Sequence, residues 1–274
     1  MEAELVEHYG AGRLLASIEA GLAALGKSPA DVTVEDLGPV DEFHVGGRAA
    51  TGALTRHLDL DEGCHLLDVG CGIGGTARQL ASTTGCRVTG LDLVPEFVEV
   101  ARALTEWTGL DDRIGYEVGS ALAMPFEAAS FDAATQLHVG MNVADKGALF
   151  AEVRRVLRPG ATLAVYDLLK TGEGTIDYPV PWASAASTSA LGDLDAYENA
   201  MSAAGFDVVT IEDRRDFALG FFAEMKARAE ARGGPPPIGV HLIFGRAAPE
   251  KLTNMVRAIG SGTIAPTEIV AVAR

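Results

Sequence analysis

The chain has 274 residues, 48% of them apolar and 22% charged, which is enough for a sizeable core in one α/β domain with additions. Its formal net charge of −16 repels phosphate backbones and argues against DNA or RNA as a partner. No apolar run approaches the roughly 18 residues needed to cross a bilayer, and the acidic start Met1-Glu2-Ala3-Glu4 lacks the basic and apolar regions of a signal peptide, so a cytoplasmic protein with no membrane contact is expected.

Residues 3–25 carry apolar positions at helical spacing (Leu5, Val6, Tyr9, Leu14, Leu15, Ile18, Leu22, Leu25), with Gly26 as a stop. Short helices are expected through residue 58, around Asp41-Glu42-Phe43-His44-Val45-Gly46-Gly47-Arg48. These 58 residues are read as a helical N-terminal cap, and residues 59–274 as the main domain.

From Cys64 onward, strand and helix patterns alternate, which argues for a parallel sheet covered on both faces. Strands are expected at 64–69, 87–92, 113–118, 131–136, 161–167, 206–213 and 263–272. Helices are expected at about 75–83, 95–108, 146–157 and 193–204. Pro95 suits a first helical turn, Gly109 a helix end, and Pro159-Gly160 a turn into the fifth strand. Trp107, near the end of an amphipathic helix, is read as core. Residues 170–190 and 214–262 interrupt the rhythm, the second broken by Gly233-Gly234-Pro235-Pro236-Pro237; insertions of this size after strands build lids or substrate walls. Cys64, Cys71 and Cys86 lack metal-ligand spacing and read as reduced, small apolar residues; no metal site is expected.

Leu66-Leu67-Asp68-Val69-Gly70-Cys71-Gly72-Ile73-Gly74-Gly75 is the segment richest in chemistry. A buried strand ends in a carboxylate and then in glycines that let backbone approach a nucleotide, and the following helix aims its free amides at the same place. Gly70, Gly72 and Gly75 satisfy the dinucleotide pattern G-x-G-x-x-G, while Gly70, Gly72 and Gly74 satisfy the D-x-G-x-G-x-G pattern of methyl-donor enzymes. A plain strand–helix turn is the bland alternative. Asp92, 24 positions after Asp68, ends the second strand, where a carboxylate accepts both ribose hydroxyls of either cofactor.

Further motifs follow in order: Gly90-Leu91-Asp92, Gly119-Ser120-Ala121, Pro125-Phe126 with Ser130-Phe131-Asp132, and Arg155-Val156-Leu157-Arg158-Pro159-Gly160. With Leu67 to Gly74 they make residues 60–170 resemble the class I S-adenosylmethionine (SAM)-dependent methyltransferases. The resemblance implies a Rossmann-like, doubly wound, seven-stranded sheet with an antiparallel last strand, and SAM as cofactor. It places Asp68 and Gly70 near the methionine end and Gly72 beside the sugar. It puts Asp92 on the ribose hydroxyls, Leu93 on the adenine, and Ser120 and Ala121 at the adenine edge, with Gln136 also at the cofactor. Ser120 departs from the common pattern, which has Asp there; a serine still accepts a hydrogen bond, without the charge. The segment 136–146 and the C-terminal stretch from Asn254 to Val270 look most like the sarcosine/dimethylglycine N-methyltransferase-like group, which suggests a small acceptor enclosed by lids.

A sulfonium methyl group is already activated, so the protein must align the acceptor, exclude water and take any proton released. His138, after the fourth strand, and His44, in the cap, are the candidate bases, each with a structural alternative. Asn142 is a candidate polar clamp, whereas Asp145 reads as a helix cap. Tyr166 and Asp167 are placed at the end of the fifth strand. Tyr178 and Trp182 form a candidate aromatic wall facing a cation, against a packing role, and His241 opens a helix that could face the pocket. His8, His57 and His65 are read as structural. N-methylation leads slightly, because acidic charge and an aromatic wall tolerate a cationic product; O-methylation of a natural-product hydroxyl is close behind. C-methylation of a prenyl chain is third, since Arg48, Arg56, Arg214 and Arg215 are a thin basis for binding a diphosphate. An NAD-dependent dehydrogenase and a non-catalytic SAM-binding regulator are the readings from other classes. A homodimer is compatible with the sequence.

Overall fold

A computed structural model describes residues 13–274; the expected helical turns before residue 13, and His8, lie outside the described residues. Seven strands form one sheet: β1 (His65–Val69), β2 (Arg87–Asp92), β3 (Ile114–Val118), β4 (Phe131–Leu137), β5 (Leu157–Lys170), β6 (Phe206–Asp213) and β7 (Ile264–Ala273). Their order is β3-β2-β1-β4-β5-β7-β6. β1 to β5 pair in parallel, and β7 runs antiparallel between β5 and β6. The expected Rossmann-like sheet with an antiparallel last strand is therefore present. Leu66, Leu67 and Val69 are buried although they alternate in direction, as expected of a strand covered on both faces.

Each helix follows from its local sequence. Among the described residues α1 (Leu14–Ala24) stops before Gly26, and α2 (Val34–Asp41) starts with a capping box between Thr33 and Asp36. α3 (Gly47–Leu54) and α4 (Gly75–Thr84) follow. α5 (Pro95–Trp107) has proline in its first turn and buries Phe97, Val98, Ala101 and Leu104 on one face. The Asp145 and Asp193 side chains cap α6 (Lys146–Val156) and α7 (Leu194–Ala204). α8 (Arg215–Arg232), α9 (His241–Phe244) and α10 (Ala248–Gly260) occupy the long second insertion.

Helices α6 and α7 cover one face of the sheet through Leu149, Phe150, Val153, Tyr197 and Met201. α3, α4 and α5 cover the other through Leu54, Ala77, Leu80 and Val98. α1 and α2 pack through Ile18, Leu22, Leu37 and Val40 against Val94, Phe97 and Leu104. Trp107 sits half-buried at the margin of that cluster. The two insertions pack on each other, with Val180 and Trp182 against Phe222, Met255 and Ile259.

One boundary differs from expectation. β5 begins at Leu157 and runs to Lys170, well beyond 161–167. Pro159-Gly160 does not precede the strand: Leu157 pairs with Phe131 and Thr162 with Ala133, so the chain bulges there, and Gly160 takes a φ of 82°. Tyr166 and Asp167 consequently lie inside the strand rather than at its end.

Candidate functional site

A cavity of about 330 Å³ opens at the carboxyl ends of β1, β2 and β4, where the strand order reverses. Asp68, Gly70, Gly72, Asp92, Leu93, Ser120 and Ala121 line one part of it; His44, His138, Asn142 and Trp182 line the rest. Eleven sequence-chosen residues, drawn from six separate stretches of chain, thus meet at one place.

The glycine turn explains the shape of the first part. Gly70 has a φ of 69°, and a Cβ there would stand 2.3 Å from Val139 Cγ2. Gly72 has a φ of 53°, and a Cβ would stand 2.6 Å from Phe43 Cζ. Side chains are excluded at both positions by backbone angle and by space. Asp92 is turned inward by two backbone amides, accepting from Gly72 N at 2.8 Å and Val94 N at 2.9 Å. Burial still outweighs those hydrogen bonds and raises its carboxyl above the usual range.

Asp68 accepts from Thr135 Oγ1 at 2.8 Å through Oδ1, while Oδ2 is buried without a partner. Burial pushes its carboxyl up to about 7 against the help of Thr135, and the charge of Asp92 adds to the push. Ser120 Oγ accepts from Leu122 N at 3.0 Å, which shapes the loop after β3.

His138 adopts a φ of 55°, which non-glycine residues rarely take, and its amide donates to Tyr166 O at 2.7 Å. Its Nε2 is buried without a partner, and burial, with His44 nearby, holds the ring well below its usual basicity. The rings of His44 and His138 lie 5.9 Å apart, and both pack on Tyr166. Burial lowers His44 to about 4, so both imidazoles are neutral near pH 7. Asn142 Oδ1 is likewise buried and unpartnered. Asp145 caps α6, as expected, and its position also borders the cavity.

The loop carrying His138 and Asn142 is held from below. Lys146 Nζ donates to Gly140 O and Ala190 O, both at 2.8 Å, and to Val143 O at 2.5 Å. Asp167 accepts from Gly140 N at 2.6 Å and from Tyr197 Oη at 2.8 Å.

Three expected site residues lie elsewhere. Gln136 is fully buried in β4 and does not line the cavity, because a residue one step before Leu137 points to the opposite face of the sheet. Tyr178 packs half-buried against the insertion cluster, so of the proposed wall only Trp182, 2% exposed, reaches the cavity; its Nε1 donates to Ser189 Oγ at 2.9 Å. His241 does open a helix, but the helix presents Phe244 to the cavity. Arg48, Arg56, Arg214 and Arg215 do not line it either.

Among the other lining residues, sequence reasoning missed Asp41, Phe43 and Met255. Asp41 also forms a fully buried ion pair with Arg78, 2.5 Å between Oδ1 and Nη2, while Arg78 donates to Ile73 O at 2.7 Å and Thr105 Oγ1 at 3.0 Å. The pair ties α2 to the glycine turn. Met255 lies on an apolar stripe of α10 that helical spacing could have revealed; nothing local marks Asp41.

These groups fit SAM. Two carboxylates at the ends of adjacent parallel strands would meet its ammonium and ribose hydroxyls, the apolar Leu93 and Ala121 would flank the adenine, and the unpartnered Asp68 Oδ2 is an acceptor awaiting a donor.

Residues 67–165 match the family model described as a methyltransferase domain. An O-methyltransferase of Pyrenophora dematioidea is 30% identical over 72% of this chain and 74% of its own length. Five other curated relatives, methyltransferases as well, are spanned by this chain over 31% to 66% of their length. Among solved structures, phosphoethanolamine N-methyltransferase 2 of Haemonchus contortus in complex with SAM superposes with a TM-score of 0.70 at 22% identity, covering 88% of this chain and 57% of that one. A protein assigned to the sarcosine dimethylglycine methyltransferases in Galdieria sulphuraria gives 0.66 at 20% identity, over 95% and 98%. At such identities the structures establish the fold. With the matched domain and the Pyrenophora relative, they show that the chain belongs to the class I SAM-dependent methyltransferases.

Proposed function

We propose that the protein transfers a methyl group from SAM to a hydroxyl of a small, largely apolar acceptor held in the cavity. The observation that carries this reading is the pair of neutral imidazoles, His44 and His138, lining the same cavity as Asp68 and Asp92. Bound SAM supplies an electrophilic methyl group on a sulfonium. Asp68 and Gly70 would hold its methionine end, Gly72 and Asp92 its ribose, and Leu93, Ser120 and Ala121 its adenine. Trp182, Met255 and Phe244 give the acceptor an apolar wall and exclude water. Asn142 Oδ1 can accept from a second donor group of the acceptor, and a neutral histidine takes its hydroxyl proton as the new bond forms. Residues 13–58 act as a cap that carries His44 over the site.

An amine acceptor is the second reading, favoured by the buried Trp182 face, which suits a cation. A prenyl diphosphate is disfavoured, because the four arginines considered for it lie outside the cavity lining. Calorimetric titration with SAM, S-adenosylhomocysteine and NAD, followed by transfer from methyl-tritiated SAM to panels of phenols, amines and prenyl diphosphates, tests the reading. Binding of SAM with transfer to phenols supports it. Transfer to amines alone replaces the hydroxyl acceptor. SAM binding without transfer to any panel points to a SAM-binding regulator, and binding of NAD alone overturns the proposal.

A further inference from the structure

Against the His44 ring lies a buried polar chain that the proposed reaction does not otherwise use. Glu42 is buried, and its Oε2 accepts from Thr51 Oγ1 at 2.5 Å. Thr51, fully buried on α3, stands 3.1 Å from His44 Nε2, and Glu42 Oε2 itself is 3.4 Å from that nitrogen. The same Nε2 lies 3.2 Å from Gly47 O. A carbonyl oxygen can only accept, so Nε2 must carry the ring hydrogen; Thr51, having given its own proton to Glu42, accepts from it as well. Every hydrogen-bond partner of the ring thus sits on Nε2, which leaves Nδ1 with the lone pair.

We propose that Glu42 and Thr51 are positioning residues that fix His44 as the Nε2–H tautomer and carry away the proton it receives. The inference rests on the methyl-transfer reading above. As the acceptor's O–H bond breaks, its proton passes to His44 Nδ1 and its electron pair stays on the oxygen that gains the methyl group. The Nε2 proton moves to Thr51 Oγ1, and the Thr51 proton moves to Glu42 Oε2. His44 ends neutral as the other tautomer and Glu42 ends as a neutral carboxylic acid. No new charge is left in the cavity: the positive charge lost from the sulfonium is matched by the negative charge lost from Glu42.

The electrostatics support this assignment. Burial pushes Glu42 up to about 7, against its hydrogen bond from Thr51; the charges of Asp41 and Asp68 push the same way and Arg48 opposes them. Its second oxygen, Oε1, is buried without a partner, so a proton there or on Oε2 relieves a desolvated charge. His44, lowered to about 4, is too weak a base to keep the proton, which favours passing it on.

The test needs a readout free of turnover. With ¹⁵N-labelled histidine in the S-adenosylhomocysteine-saturated protein, His44 is expected as the Nε2–H tautomer at pH 8. Its Nε2 shift is expected to show a step near pH 7 as Glu42 titrates, and the step vanishes in Glu42→Gln. An Nδ1–H tautomer, or the same step in Glu42→Gln, overturns the proposal. Kinetics give a second arm with the best phenol of the acceptor panel. Glu42→Gln and Thr51→Val are each expected to keep affinity for S-adenosylhomocysteine, to lower kcat about 10- to 100-fold, and to abolish the rise of kcat through pH 7. Thr51→Ser restores both. Unchanged kcat and pH profile in both variants overturn the relay. If no acceptor in any panel is turned over, the methyl-transfer reading fails while the tautomer and the pH step still decide the Glu42–Thr51–His44 chain.

Discussion

Asp68→Asn separates what the buried Asp68 carboxyl costs the fold from what it is proposed to contribute to SAM binding. The Asp68 carboxyl is moved from an ordinary 3.8 to about 7 by burial, so the folded protein holds its proton more tightly than the unfolded chain does. The sign follows: the group's contribution to stability is fully present below about pH 4 and is lost as pH rises through 7. The penalty for ionising it amounts to roughly 2 kcal/mol at pH 5 and roughly 4 kcal/mol at pH 8. Asparagine carries no charge at either pH and still offers an oxygen to Thr135 Oγ1. The stability of Asp68→Asn relative to the native protein should therefore grow by about 2 kcal/mol from pH 5 to pH 8, on the order of 5 °C in Tm for a chain this long. Thermal unfolding of both proteins without ligand, at the two pH values, measures it. A difference independent of pH, or one that shrinks as pH rises, would refute an ionisable, desolvated Asp68. The same substitution should weaken SAM binding roughly 10- to 100-fold, the loss expected when a charged hydrogen-bond partner becomes neutral.

Arg78→Met strands the buried Asp41 carboxylate and should cost about 3–5 kcal/mol, read as a lower denaturant midpoint; a shift under 1 kcal/mol would mean that the pair is dispensable. Gly72→Ala puts a Cβ 2.6 Å from Phe43 in a left-handed backbone, so SAM affinity should fall at least about tenfold with the circular dichroism spectrum preserved. Lys146→Met leaves the carbonyls of Gly140, Val143 and Ala190 without their donor and loosens the His138–Asn142 loop. It should raise KM for the acceptor several-fold while the Kd for SAM changes little, and equal changes in both would argue against a local role.

Much of the fold was legible because its signals are local. β1 runs into Gly70 and β2 ends at Asp92 shortly before Pro95, and several helices carry their own cap or stop, as Asp145 and Asp193 do. The β5 boundary was misread because Pro159-Gly160 normally breaks a strand, and only pairing with β4 shows that it is carried as a bulge. The residues expected at the cofactor meet at one cavity because their motifs lie on contiguous segments at the strand ends. Gln136 does not reach it, because a shift of one residue along a strand exchanges cavity for core, and sequence alone gives no register. Tyr178 and His241 were displaced for a similar reason: in an insertion, which side chain faces inward is decided by packing against another distant insertion, as Trp182 and Phe222 do. Glu42 and Asp41 carry no local signature at all, since each gains its role from a partner 9 or 37 positions away.

The buried polar atoms that lack a partner show where the chain departs from the most stable arrangement. Among the described residues they fall on eight side chains, and three of those, Asp68, His138 and Asn142, line the cavity, while Glu42 and Tyr166 touch the His44 ring. A core optimised only for stability would pair such atoms or replace them with apolar groups. Here five of the eight lie in or against one concave space, and elements beside it are held by buried ion pairs and hydrogen bonds. Arg78 ties α2 to the glycine turn, while Lys146 and Asp167 anchor the loop after β4. The scaffold's rigidity and the site's unmet hydrogen-bonding capacity are therefore two parts of one arrangement. Fixed surroundings keep Asp68, His138 and Asn142 from turning away to find partners in the protein, so their capacity remains directed at whatever enters the cavity.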